Sequence, residues 1–232
     1  MDRLDPELTQ LIDATGRDLQ PVAERLRAHP FLAALDEGGV ATPVLQAFAG
    51  EQYVILHSDR ASFAQLAARY PDDPSASFFL SMAAGEGQAL AHLLRLATAL
   101  GQDEADLRAY EPRPGCQAYP AFLAWLALYA SRLDVAVGLL VNLDAWGANC
   151  GRMGHVLRHR YGLSADAVGF FEFFATPPPG LRDQIIAVAS DGRRRGDATP
   201  AARRAARLLQ AYELMFWDSL LEDVSATHGG RG

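Results

Sequence analysis

The sequence predicts an all-α protein. Apolar residues recur at helical spacing through most of the 232-residue chain. Alternating runs rich in β-branched residues, the signature of strands, are missing. Proline, glycine and short polar residues stand between the periodic stretches, where helices have to start and stop.

The elements follow in order. A first helix is expected over 6–28, ended by His29-Pro30, because proline removes a backbone donor and cannot continue the ladder. A helical turn over 31–35 leads into the loop Asp36-Glu37-Gly38-Gly39. Thr42-Pro43 reads as N-cap and first helical residue of a helix running to about 69. Tyr70-Pro71-Asp72-Asp73-Pro74 breaks it. The next helix spans about 75–100 and stops at Gly101; a short one covers 103–110. Pro112, Pro114 and Gly115 form a loop that also holds Cys116. The chain is then helical over 118–161, divided near Ser131-Arg132-Leu133-Asp134 with Asp134 as a cap, and Gly162 ends it. Ser164 caps a helix carrying Phe170, Phe171, Phe173 and Phe174, which Pro177-Pro178-Pro179 terminates. Helices over 181–190 and 199–223 complete one domain with its core over 5–224, and 225–232 is expected as a disordered tail.

Composition narrows the function classes. Half of the residues are hydrophobic and 21% are charged, ordinary globular values. The net charge is −7, which disfavours a phosphate-backbone partner. Arg193, Arg194, Arg195, Arg203, Arg204 and Arg207 cluster, but with Asp191 and Asp197 nearby and no interleaved aromatics they read as a solvated turn and helix face rather than a nucleic-acid surface. There is no lysine, which removes Schiff-base chemistry. Two cysteines, Cys116 and Cys150, do not make a disulfide framework. The first residues carry no apolar run, and the most apolar stretch, 135–143, is bracketed by Asp134 and Asp144. A soluble, cytoplasmic protein with neither membrane nor nucleic-acid partner is the expectation.

Several strings in order point to one superfamily. They are His29-Pro30-Phe31-Leu32 with a glycine loop and then 45–53; the stretch 86–101 with His92 inside and Leu-Gly at its end; Tyr161-Gly162; and Tyr212-Glu213-Leu214-Met215-Phe216-Trp217. Over most of 28–220 the chain resembles the TenA-type, thiaminase II-like members of the heme-oxygenase-like superfamily. The resemblance implies a heme-oxygenase-like helical bundle, a ligand pocket inside it and a homodimer or homotetramer. It also implies thiamine-related chemistry: hydrolysis or cleavage of a C–N bond in a small nitrogen heterocycle such as the thiamine pyrimidine, with no metal and no cofactor.

The family's proton-transfer glutamate maps onto Glu213, whose aromatic neighbours suit it to acid–base work. Two other positions depart from the pattern. Asp144 stands at the nucleophilic cysteine, and Gln52 at the aspartate that holds the pyrimidine. Cys150 lies on nearly the opposite helix face from Asp144 and reads as a small buried hydrophobe. Standard thiaminase II chemistry therefore lacks its thiolate, and Asp144 becomes the second catalytic candidate. The remaining expected lining is Gln52, Tyr53, Glu86, His92, Tyr119, Asn142, Trp146, Tyr161 and Phe171, and such walls suit a flat heterocycle or a cationic amine.

Two alternatives stay open. One is a binding or regulatory protein that kept the pocket without catalysis. The other is a diiron oxidase of the same superfamily: Glu51, His57, Glu86 and His92 are early ligand candidates, but the segment after Phe170-Phe171 supplies neither histidine nor aspartate. His155 and His159 share a helix face as zinc ligands do, yet Arg152, Arg158 and Arg160 surround them.

Overall fold

The computed structural model describes residues 5–229, with side chains as far as Ser225. Ten helices and no strand are found among the described residues: α1 (Pro6–Arg27), α2 (Pro30–Asp36), α3 (Thr42–Arg69), α4 (Ser75–Ala99), α5 (Glu104–Ala109), α6 (Pro114–Tyr129), α7 (Arg132–His159), α8 (Gly169–Ala175), α9 (Leu181–Arg194) and α10 (Pro200–Gly229). None of these helices is long and apolar enough to cross a membrane.

The punctuation acts through identifiable hydrogen bonds. Asp5 caps α1 by accepting from the Glu7 amide, and Pro6 fills the first position, where no amide donor is required. The His29 ring caps α2: its Nδ1 accepts from the Phe31 amide at 3.2 Å. Ser131 and Asp134 form a reciprocal capping box at α7, so Ser131, not Asp134, is the N-cap. Gly101 and Gly162 take positive φ where α4 and α7 end, as the expected stop signals require.

Four boundaries differ from the sequence reading. Thr42 lies inside α3 and makes no capping bond; Ala41 holds the cap position. The expected loop at Pro114 and Gly115 is the first turn of α6, because proline there occupies a position whose amide is unpaired in any helix. Ser164 caps a turn through the Ala167 amide, and α8 starts only at Gly169. Helix α9 continues to Arg194 because Asp191 is buried and ion-paired with Arg132, Arg194 and Arg195. The arginine cluster is thus partly tied to the chain's own carboxylates, with Arg193 on Asp5 and Glu7 and Arg203 on Asp18. Helix α10 runs through Gly229, so 225–229 are helical rather than a loose tail; 230–232 lie outside the described residues.

Two apolar clusters make the core. One gathers Leu26, Phe31, Phe48, Phe170, Phe171 and Trp217 from α1, α2, α3, α8 and α10. The other gathers Leu8, Phe63, Phe79, Leu123, Leu139 and Leu209 from α1, α3, α4, α6, α7 and α10. Helices α3, α7 and α10 run through both, and α3 packs on α4 more extensively than any other pair. Burial of large side chains such as Trp217 and Phe48, each worth about 2–3 kcal/mol, is the main source of stability.

A fully buried carboxyl group pins this frame. Glu51 of α3 accepts through Oε1 from the Tyr110 hydroxyl and the Arg113 amide, both at 2.8 Å, and through Oε2 from Gln117 Nε2 at 2.7 Å. Arg113 reaches on to Asp223 of α10. The Tyr110 ring fits because residue 50 is glycine; a Cβ there would collide with the ring. Glu51→Ala would strand these buried donors, a loss expected to be about 3–5 kcal/mol. Its urea midpoint should fall accordingly; an unchanged midpoint would mean that the network is dispensable.

Candidate active site

A cavity of about 70 Å³ lies at the seam between the two apolar clusters, room for several waters or a small molecule. Each wall is one helix face. Helix α3 contributes Gln52, Ile55, Leu56, Asp59 and Phe63, spaced 3, 4 and 7 apart as one side of a helix demands. Met82 and Glu86 come from α4, Tyr119 from α6, and Leu139, Asn142, Leu143 and Trp146 from α7. Phe174 of α8 and Glu213 and Phe216 of α10 close it.

Glu213 is the most constrained polar group. Its Oε2 accepts from Asn142 Nδ2 at 2.6 Å, and its Oε1 accepts from Trp217 Nε1 at 3.3 Å. Burial disfavours the charged form and raises its pKa to about 7, against the opposing effect of the two donors. Glu86 is pushed up to about 8 by burial. Asp59 is raised well above the usual carboxylate range by burial and then by the neighbouring Glu86 charge. Tyr119 is raised too, by burial first and then by Asp59, Glu86 and Glu213 together.

Of the sequence-derived candidates, the fold brings Gln52, Glu86, Tyr119, Asn142, Trp146 and Glu213 to one cavity. Five others lie elsewhere. Asp144 is exposed in an outer groove with Arg17 and Arg182; two residues past Asn142, it is rotated by roughly 200° about α7. Tyr53 is buried away from the cavity wall, its ring against His57 and its hydroxyl donating to Glu104 at 3.1 Å. His92 lies beside Arg95 at 3.1 Å and against Phe173. The Tyr161 hydroxyl accepts from the Val40 amide at 3.1 Å and donates to the Leu35 carbonyl, closing the α2–α3 loop. Phe171 is core packing against Phe48 and Phe170.

Asp59 was missed by sequence reasoning, although it sits on the apolar stripe of α3 two turns after Gln52. Met82, Leu143, Phe174 and Phe216 were missed because apolar walls look like ordinary core in a sequence.

The diiron ligand set does not assemble. Glu51 is consumed by its own network, His57 is exposed, and His92 faces Arg95. Among the described residues no group of three or more histidine, cysteine or carboxylate side chains is placed to hold a metal ion. The rings of His155 and His159 lie tilted with centroids 4.5 Å apart on the exposed side of α7, without a third ligand among the described residues. Cys150 is fully buried outside the cavity wall, and burial pushes its thiol well above the ordinary range, the opposite of what a nucleophile needs. Cys116 is likewise buried and raised.

Comparison with known proteins places this geometry in context. The model of the TENA/THI-4/PQQC family matches residues 17–223. No curated protein sequence matches the chain. A TenA homologue from P. horikoshii OT3 superposes with a TM-score of 0.73 at 16% identity, covering 90% of this chain and 97% of its own. A Shewanella denitrificans domain with a heme oxygenase-like fold gives 0.75 at 14%, covering 100% and 98%. Heme oxygenase-1 from Synechocystis sp. PCC6803, solved with heme, gives 0.71 at 14%, covering 94% and 96%. The fold is therefore a heme-oxygenase-like helical bundle.

The raised pKa values of Glu213 and Glu86 carry a stability signature. Both groups bind protons more tightly folded than unfolded, so their contribution is full below pH 4.5 and is lost as pH rises through about 7 and 8. Stability should drop between pH 5 and pH 8, by about 3 kcal/mol through Glu213 alone. Glu213→Gln should flatten the urea-midpoint profile in that window; a profile as steep as the parent's would show that Glu213 ionises normally.

Proposed function

We propose, for a chain that belongs to the TENA/THI-4/PQQC family, that the cavity binds a small, flat nitrogen heterocycle related to the thiamine pyrimidine. There Glu213 moves the proton in cleavage or hydrolysis of a C–N bond. The reading rests chiefly on Glu213 being buried yet held by two donors. Burial favours the neutral acid and the donors favour the carboxylate, leaving the group balanced at about pH 7, where both forms are available for catalysis.

The aromatic walls support the same reading. Trp146, Phe174 and Phe216 meet edge-on, with ring centroids 5.9 to 6.0 Å apart, and present flat surfaces to a flat ring. Gln52 offers an amide that both donates and accepts, able to fix one edge of a heterocycle. Tyr119 adds a hydroxyl that stays protonated and so donates.

With no thiol on the wall, a covalent thioether intermediate is not part of the proposal. Water attacks instead: it forms the new C–O bond as the C–N bond breaks, Glu213 takes the proton from the water, and the departing nitrogen receives one in return. Asp144, out on the surface, has no part in it.

Thermal-shift screening against aminopyrimidines and related heterocycles tests the binding step, because a ligand that prefers the folded state raises the melting temperature. At least one such heterocycle is expected to stabilise the protein and to be turned over. Glu213→Gln should keep binding within about threefold and lower kcat by about two orders of magnitude or more. Cys150→Ala should leave kcat unchanged. Loss of turnover in Cys150→Ala alone, with Glu213→Gln active, would reverse the assignment.

A further inference from the structure

The part of the cavity wall formed by α3 and α4 has chemistry that the acid–base role does not use. Asp59 of α3 and Glu86 of α4 are both buried, and each lines the cavity. Among the described residues Asp59 Oδ1 has no hydrogen-bond partner, in contrast to the donors that hold Glu51 and Glu213. Neither Asp59 nor Glu86 is within ion-pair distance of an arginine or histidine among the described residues. The ionisable groups facing the cavity are Asp59 from α3, Glu86 from α4, Tyr119 from α6 and Glu213 from α10, while α7 offers the neutral Asn142 and α8 only Phe174. All four ionisable groups are acids; among the described residues the cavity has no cation of its own.

We propose that Asp59 and Glu86 form a seat for a compact organic monocation bearing N–H donors of the amidinium type, which enters in exchange for a proton held by the pair. This narrows the substrate class of the cavity and rests on the reading of that cavity as a binding site. Two considerations carry it. A buried carboxyl oxygen without a donor loses its hydration with nothing in return, so it is completed by a ligand that brings N–H groups. An amidinium presents two parallel donors, which match the two acceptor oxygens of a carboxylate, and its positive charge removes the repulsion between Asp59 and Glu86. Without a ligand the pair relieves that repulsion by keeping protons, consistent with the raised pKa values of both groups. Tyr119 lines the same cavity, and its pKa is raised by burial first and then by the charges of Asp59, Glu86 and Glu213.

The test uses two probes of nearly one shape, acetamidinium and neutral acetamide, titrated calorimetrically into the full chain in two buffers of unlike ionisation enthalpy. Acetamidinium is expected to bind at least about tenfold more tightly than acetamide and to release protons, so that its apparent enthalpy depends on the buffer. Asp59→Asn and Glu86→Gln should each weaken acetamidinium by about tenfold or more and leave acetamide alone. Glu213→Gln should leave the preference for the cation in place. Equal binding of the two probes, no binding of acetamidinium, or wild-type affinity in either amide variant would overturn the seat. The comparison of probes on the unaltered protein stands even if a variant fails to fold. If heterocycle turnover is never found but acetamidinium is selected, only the reaction falls; if neutral heterocycles are turned over and acetamidinium is ignored, only the seat falls.

Discussion

Helices α7 and α10 are joined through the core by the 2.6 Å hydrogen bond from Asn142 to Glu213. Both side chains are almost completely buried, so neither can turn to solvent for a partner. The bond fixes the rotation of each helix about its axis, and that rotation decides what else faces inward. On α7 it directs Leu139, Leu143 and Trp146 to the cavity and sends Asp144 outward. On α10 it places Phe216 on the cavity wall and Trp217 against Phe31 and Phe48. The indole N–H then returns to Glu213, one turn back on the same helix.

Apart from Asp134 in its helix cap, the buried carboxyl groups among the described residues differ in their partners. Glu51 receives a hydroxyl, a backbone amide and a side-chain amide, and Arg113 stands beside it. Asp191 has three arginines. These are closed networks that tie helices together and have no capacity left for a ligand. Asp59 and Glu86 sit in the same bundle without such donors, and both border open space. A carboxyl group kept desolvated and under-satisfied weakens the fold, and such sites are concentrated where binding or proton transfer takes place. Glu213 stands between these two cases: its two donors hold its geometry, and its burial holds its proton.

Much of the helical framework was legible because its signals are local. Pro6, Pro30, Gly101 and Gly162 mark helix ends by removing a donor or permitting positive φ, and each acts within a turn of its own position, whereas the α7 cap falls on Ser131 and not on the expected Asp134. The resemblance carried by 212–217 located Glu213 in the same way. What remained hidden depends on helix rotation and on tertiary partners. Asp144 and Asn142 are two residues apart in one apolar segment, and the sequence does not say which of them faces in. Tyr161 and His92 are residue types that frequent binding sites, yet here one closes a loop and the other lies by Arg95. Helix α9 outran its expected end because Arg132, far away in sequence, supplies a charge to Asp191.

The position of the missed acid bears on how a ligand would lie. The resemblance implies a carboxylate holding the heterocycle at position 52, where this chain has Gln52. An acid is nevertheless present on the same face of α3 at Asp59, seven residues on, which is about 10 Å along the helix axis. On the proposed seat, the charged edge of the ligand moves by that distance towards Phe63 and Met82, while Glu213 keeps its place on α10. The bond presented to Glu213 is then a different one from the bond a ligand anchored at residue 52 would present. On that proposal the chain keeps the bundle, the aromatic walls and Glu213 at the cavity, and changes which bond those groups can reach. On the proposed seat, substrate selection turns on where along α3 the negative charge sits, more than on the shape of the apolar wall.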